Sequence, residues 1–443
     1  VYSLSIAAEL QRHFVHDNDF ILRQIHLGNE VIAVMGLKTL IDFPQTISMI
    51  RDLIQVDDLA DHDMRDVVVG LGDDCSSHVF EKLVTEIQLG MLLVVHENSE
   101  TCVSLIPVPQ TLSRSISAPL TENSISGSNS AFNESMETNV GLLRKYTNAD
   151  DLQLKTYMFG STVKNRVTVS YLKGAIDPAF LQTLIEAIES RLHLEVNNLQ
   201  DFTKVLGLSS FNLITHYHTT EMPQSAMRAL RNGRAVLFIE RVPFALVLPS
   251  LFADLYMSED DNNLTPIYTV LLRLLRLFGI LTTLIAPGLY VALVSVNPDV
   301  LRFELAHSIA KSRLDVPYPA IVETLLLLIV LELLMEAIIR LPSSIGPTVT
   351  MVGGIVLGQA AVSAKLVSNL LIIVLAVITI SSATVVGIQN SQSLRVFKYL
   401  LLFLAAAFGV LGLMSGLVVL CSYHAGFKTF NLPYLQSTKP KGD

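Results

Sequence analysis

Residues 366–394 and 399–427 contain no Asp, Glu, Lys or Arg. At a rise of 1.5 Å per residue, about 20 apolar residues in a helix are enough to cross the hydrocarbon core of a bilayer. In such a medium the backbone must satisfy its own hydrogen bonds, so these stretches predict helices. The N-terminal half is ordinarily polar, and the chain divides near residue 265 into a soluble part and a membrane part. Composition agrees. The chain is 51% hydrophobic and only 16% charged, against about 25% charged in typical soluble domains.

A net charge of −9 and the lack of a long basic run argue against general nucleic-acid binding. Cys75, Cys102 and Cys421 have neither metal-ligand spacing nor the density of a disulfide framework, and read as free thiols in a reducing compartment. Residues 1–30 carry Glu9, Arg12, Asp17, Asp19 and Arg23 and no uninterrupted apolar run. They do not resemble a secretory signal, and a cytoplasmic N-terminal half is expected.

Patterns of helical and alternating periodicity interleave over residues 1–106, which predicts a first α/β lobe. The acidic stretch from Asp57 to Asp66, with His62, reads as a solvated loop. The lone Gly-x-Gly at Gly70 lacks the third glycine and the lysine of phosphate loops. Residues 107–150, rich in Ser, Pro, Asn and Thr, read as a linker. Residues 151–265 predict a second α/β lobe. His216 and His218 alternate on one of its strands, near Glu221; without a third ligand at a known spacing they read as surface or interface histidines rather than a zinc site.

The expected fold is therefore an α/β N-terminal region of two lobes followed by an all-α polytopic transmembrane domain, residues 266–427, of four to five spans. The span candidates are Leu277–Pro298, Ala320–Ile339, Pro342–Ala364, Leu366–Leu394 and Tyr399–Phe427. Arg273 and Arg276 mark a cytoplasmic flank before the first, and the connector after it suggests a short interfacial helix. Five full spans place the C-terminus outside. The polar tail, residues 428–443, carries Lys428, Lys439 and Lys441, which favours the cytoplasm and an even count. The two agree if Pro342–Ala364, broken by Pro342, Gly346 and Pro347, does not cross fully.

The most unusual stretch runs from Glu323 to Ala364. Glu323, Glu332 and Glu336 lie in a helix of leucines and isoleucines, and carboxylates at that depth usually face a cavity, a partner helix or a pathway. Glu332, Glu336 and Arg340 follow at four-residue spacing on one face. After Pro342 comes a run of small residues, with Gly353, Gly354, Gly358, Gln359, Val362 and Ser363, of the kind that lets helices approach closely.

These residues carry a resemblance. EAIIRLP at 336–342 followed by VGGIVLGQAAVSA, together with ALRNGRAVLFIERVPFALVLPSLF, APGLYVAL and SIAKSRLDVPYPAIVE, resembles the A subunit of GerA-type spore germinant receptors from endospore-forming bacteria. In the linker the resemblance runs through QTLSRSISAPLTENSISGSNSAFNES and TNVGLLRK. There Arg114, Pro119, Glu122, Gly127, Phe132, Glu134, Asn139 and Arg144 are candidates for a soluble-domain interface. Two charged runs usual in that family are lost here, at Ser126–Phe132 and at Met222–Gln224.

The resemblance implies a nutrient-sensing role in the spore's inner membrane, beside a transporter-like B subunit and a lipoprotein C subunit. It also implies assembly of the A subunit, as a pentamer, around a cation-conducting pore. Gln359, Val362 and Ser363 would then face the pore, with Val362 a hydrophobic gate, while Glu323, Glu332, Glu336, Arg340, Pro342, Gly353, Gly354 and Gly358 shape the membrane core. On the residues alone, glycines that only pack helices and a Glu336–Arg340 pair at the membrane boundary remain an equal reading. A secondary transporter is disfavoured by the small number of spans. No nucleophile–base pair, metal cluster or phosphate loop stands out, so neither enzymatic activity nor a cofactor is expected.

Overall fold

The alternating patterns of the N-terminal half become two sheets of the same design. The structure is a computed structural model; it describes residues 6–15, 17–27, 30–56, 68–76, 80–96, 101–108, 130–146, 151–160, 164–196, 198–209, 211–340, 354 and 358–436. In lobe 1, α1 (Ile6–His13) precedes the hairpin β1 (Phe20–Leu27) and β2 (Glu30–Leu37). Then follow α2 (Phe43–Val56), β3 (Asp73–Asp74), α3 (Phe80–Gln88), β4 (Leu92–His96) and β5 (Thr101–Leu105). The sheet order is β1-β2-β4-β5-β3, antiparallel throughout.

All five residues of β4 are buried, as expected of a central strand covered on both faces. Ala7 and Leu10 of α1 and Leu83 and Ile87 of α3 pack on one face against Met35 and Leu93. Ile50 of α2 packs on the other against Val34 and Val94. Gly72 lies tight against the Ser104 carbonyl, so the Gly-x-Gly glycine has a packing reason where β3 meets β5. The acidic stretch 57–66 lies outside the described residues.

Lobe 2 repeats the plan. Its elements are α4 (Met136–Lys145), β6 (Leu152–Phe159), β7 (Asn165–Leu172), α5 (Pro178–Glu189), α6 (Leu199–Val205), β8 (His218–Thr220), α7 (Pro223–Arg231), β9 (Ala235–Ile239) and β10 (Ala245–Leu248). The order β6-β7-β9-β10-β8 is the lobe 1 order shifted by five strands. Helices α4 and α7 cover one face, α5 and α6 the other. Phe159, Phe180, Phe202 and Phe238 are fully buried, each contributing roughly 1.5–3 kcal/mol by removal from water.

Part of the expected linker therefore belongs to a core. Ser135 caps α4 by accepting from the Thr138 N–H, and Phe132, Met136, Val140 and Leu143 are buried against β9 and α7. Serine and asparagine in that stretch act as caps and turns rather than as spacers.

The helical half starts with α8 (Pro266–Val291), prolonged by a π-helical turn to Val296. Next come α9 (Phe303–Arg313), none of whose residues is buried, then α10 (Ala320–Arg340), α11 (Asn369–Ser382) and α12 (Ile388–Gly426). By length and composition, Pro266–Val296 is an apolar helix and Gln389–Gly426 an apolar helical stretch long enough to cross a membrane, and Asn369–Ser382 is a shorter helix, among the described residues.

The two uncharged runs are divided differently from expectation. Residues 366–394 break after α11 at a turn ending in Gly387, whose φ is 84°. Residues 399–427 are not one span but part of a helical hairpin. At Gly409 the backbone leaves the helix, with φ 65° and ψ −142°, a region open essentially to glycine. A straight helix would hold Phe397 and His424 about 40 Å apart at 1.5 Å per residue, yet their rings lie 5.3 Å apart. Ser393 and Tyr423 both hydrogen-bond the backbone of Leu213.

Small residues make the hairpin possible. An added Cβ at Gly412 would strike the Leu404 carbonyl, and one at Gly416 the side chains of Leu401 and Leu404. Gly288 of α8 receives Leu413 and Ala405 at the same crossing. Close approach of this kind drives helix association where apolar burial does not discriminate.

The expected polar tail is partly structured as well. Residues 428–433 form a short hairpin, β11 (Lys428–Thr429) and β12 (Leu432–Pro433), on lobe 2. Phe430 and Leu432 pack on the lobe 2 core, and the Tyr434 carbonyl accepts from Phe252 N–H at 3.0 Å. The end of the helical half thus lies on the same side as its beginning.

Candidate functional site

Polar groups in the helical half collect at two levels. Far from the lobes, Glu323 is fully buried. Its Oε1 accepts from the Ser368 N–H and Oγ–H, both at 2.7 Å, and Ser368 caps α11. Tyr290 Oη lies 3.0 Å from Ser368 Oγ, and Arg313 reaches Glu323 Oε2 at 3.3 Å. One carboxylate thereby joins α8, α10, α11 and the end of α9.

Nearer the lobes, Glu332 lies between Lys398 at 2.8 Å and Arg395 at 3.2 Å, both on the first arm of α12. Lys398 is only 5% exposed, a burial tolerated because its charge is paired. Glu332, Glu336 and Arg340 do not act as one row. Glu336 bonds Arg340 at 2.6 Å as an exposed pair within α10, while Glu332 turns to α12.

Pro342 and Gly353 lie outside the described residues. Among the described residues, nothing lies where an added Cβ at Gly354 or Gly358 would reach. Gln359 and Ser363 are exposed and Val362 half-buried, so in a single chain the expected small-residue packing is made at 409–416 instead. Lys365 pairs with Asp315 at 3.0 Å on the surface.

Among the soluble candidates, Arg144 joins the lobes. Its guanidinium, nearly buried, meets Asp17 at 2.7 Å and Asp19 at 3.0 Å. Beside it Asn18 donates its N–H to the Leu154 carbonyl of β6. Burial pushes the Asp19 carboxyl above its ordinary range, against the pull of Arg144. Asn139 clamps Asn133 through two bonds, Phe132 stacks edge-on with Phe238, and the Glu134 carbonyl accepts from the Arg241 N–H. These positions build lobe 2 more than they offer a surface. Arg114, Pro119, Glu122 and Gly127 lie outside the described residues.

His216 is a structural clasp. Asn212 lies 2.8 Å from Nε2, Thr429 Oγ1 lies 2.9 Å from Nδ1, and the ring stacks on Phe427. Burial lowers its pKa to about 4. No group of three or more potential metal ligands exists among the described residues. Where lobe 2 meets α8, Asp261 is buried, which opposes ionisation. Donors from Arg276 at 2.7 Å and the Ser258 N–H outweigh burial and hold its carboxyl below the usual range.

Sequence reasoning missed Arg313, Tyr290, Ser368, Arg395, Lys398 and the hairpin turn. The Gly412-xxx-Gly416 spacing was the available signal for that turn; the ion-pair partners lie too far away in sequence to carry one.

These features define a class: apolar helices capped by a duplicated α/β region, with ion pairs holding the helices together. The profile of the Bacillus/Clostridium GerA spore germination protein family matches residues 8–442, and the chain belongs to that family. Spore germination protein A1 of Bacillus subtilis is 33% identical over 72% of this chain and 67% of its own length. Spore germination protein GerLA of Bacillus cereus is 27% identical over 98% and 90%. The uncharacterized membrane protein YfkQ of B. subtilis is 29% identical over 96% and 83%. The crystal structure of the N-terminal domain of the A subunit of the Bacillus megaterium spore germinant receptor GerK3 aligns with a TM-score of 0.39 at 20% identity. It covers 57% of this chain and 98% of that domain.

Proposed function

We propose that this chain is the A subunit of a nutrient germinant receptor that helps to trigger spore germination. The observation that carries this reading is the family match over nearly the whole chain, among relatives named for spore germination. The subunit works in the spore's inner membrane, with its lobes in the cytoplasm, beside a transporter-like B subunit and a lipoprotein C subunit. Its role is non-enzymatic. The docking of the tail on lobe 2 supports an even number of crossings.

Copies of the chain assemble, as a pentamer, around the segment 353–364, and the assembly conducts cations when gated. The support is that Gly354 and Gly358 meet no neighbour among the described residues, which suits a small-residue segment that packs against other copies. Val362 lines the constriction. The test is cation flux in proteoliposomes holding the full chain with its partner subunits. Rapid, uncoupled flux that Val362→Trp abolishes is expected. Saturable, gradient-coupled uptake, or flux indifferent to that substitution, would overturn the channel reading. A chain that stays monomeric with its partners present would overturn the assembly. For the role itself, spores lacking this gene and its paralogues should respond poorly to nutrients; normal germination would refute it.

A further inference from the structure

Where α7, the 3-10 turns at Phe252–Leu255 and Glu259–Asn263, and α8 meet, there is a cavity of about 320 Å3. It falls at the small end of ligand-pocket sizes, which run from about 300 to 1,000 Å3. Three arginines line it, each from a different part of the fold: Arg228 of α7, Arg234 before β9 and Arg273 of α8. Among the described residues, two carboxylates line it with them, Asp254 and Glu259. The lining thus carries three cationic groups against two anionic ones, with Asp261 facing Arg273 from just outside it.

The arginines are unequally occupied. Arg234 Nη1 bonds both Asp254 oxygens at 2.9 Å, while its buried Nε has no hydrogen-bond partner among the described residues. Arg228 gives one bond, from Nη1 to Glu259 at 3.1 Å. Burial raises the pKa of that glutamate, against the pull of Arg228, so its negative charge is held less firmly than usual. Arg273 stands 3.4 Å from an Asp261 oxygen that Arg276 holds at 2.7 Å. Asn232 and Ser225 add neutral polar groups to the lining. Guanidinium groups brought to one cavity from three parts of the fold suit a tetrahedral anion, whose acceptor lone pairs point several ways, better than a planar carboxylate.

We propose that this cavity binds a phosphate group, either free or on the headgroup of an anionic lipid. The lipid source alone rests on the membrane reading above, since Arg273 sits near the lobe-side start of α8, where headgroup phosphates would lie. Bound there, phosphate bridges lobe 2 through Arg228 to the first apolar helix through Arg273.

The full chain in detergent is titrated with inorganic phosphate at constant ionic strength, with amide exchange over residues 223–234 and 252–263 as the readout. Saturable protection is expected. Arg228→Gln and Arg273→Gln should each weaken it at least tenfold, and Asn232→Ala at least threefold, in protein that elutes as wild type does. Lys204→Gln, outside the cavity, should change nothing. The full chain in discs of phosphatidylcholine, with or without phosphatidylglycerol, separates the sources. Protection by phosphatidylglycerol without added phosphate identifies a lipid headgroup; protection only on adding phosphate, in either lipid, identifies the free anion. No saturable protection from either source, or equal losses in Lys204→Gln and Arg228→Gln, would overturn the site.

Discussion

Asn297 Oδ1 accepts a hydrogen bond from the Val410 N–H at 2.9 Å. This bond ties the far end of α8 to the tip of the α12 hairpin. Without it the reversal at Gly409 would leave a backbone donor unpaired in apolar surroundings.

Gly409→Ala should therefore be costly. The new methyl would collide with Asn297 Oδ1 in a backbone conformation that alanine disfavours. A loss of about 1–3 kcal/mol is expected, read as a lower thermal midpoint in detergent. Asn297→Ala should cost about as much by abandoning the Val410 donor. An unchanged midpoint in both variants would contradict the hairpin.

Removing Glu332 by substitution with Gln should destabilise the packing of α10 on α12, because Lys398 would keep a buried charge with no carboxylate. The cost should be about 3 kcal/mol. Lys398→Met in the same chain should recover much of it, and a double-mutant cycle measures the coupling. Additive losses would show that the pair is not coupled.

Arg144→Ala leaves Asp17 and Asp19, both on the lobe 1 side of the junction, without their cation from lobe 2. We expect about 3–5 kcal/mol of destabilisation. Faster amide exchange should appear first around Asn18 and β6. Exchange that rises equally throughout both lobes would point to global unfolding instead.

The tail contact should weaken with acid. His216 is held neutral in the fold, with a pKa near 4 against about 6.5 when unfolded. The unfolded chain therefore takes up a proton first as pH falls, and stability drops between about pH 6.5 and 4 by at most about 3 kcal/mol. Above that window the contribution is fully present. His216→Gln should flatten this slope in a pH series of thermal midpoints; an unaltered slope would assign it to other groups.

The lobes were legible because short, nearly unbroken apolar runs such as EVIAVMGL at β2 and LLVVH at β4 leave few alternatives to buried strands. The duplication was not, since the shared strand order is carried by topology and not by repeated residues. Residues 130–146 misled because Ser135 and Asn139 are polar for local bonding, which composition cannot distinguish from solvation. The helical half was legible as apolar, but hydropathy is blind to direction. Nothing in the charge pattern marks Gly409 as the point where the chain turns back; only the glycine spacing with Gly412 and Gly416 does. Glu323 and Glu332 were visible as costly residues, while Arg313, Ser368, Arg395 and Lys398 became their partners only through the fold.

The chain enters its helical half from lobe 2 and returns to lobe 2 through Phe427, Thr429 and Tyr434. The helices are consequently strung as a closed loop whose knot is non-covalent. A twist or tilt of the lobe pulls on the first and last helices together, so the lobe works as a two-handed grip rather than a pendant weight. Untying the clasp at His216 would loosen the returning hand of that grip, while Ser393 and Tyr423 still hold the hairpin arms to the lobe at Leu213.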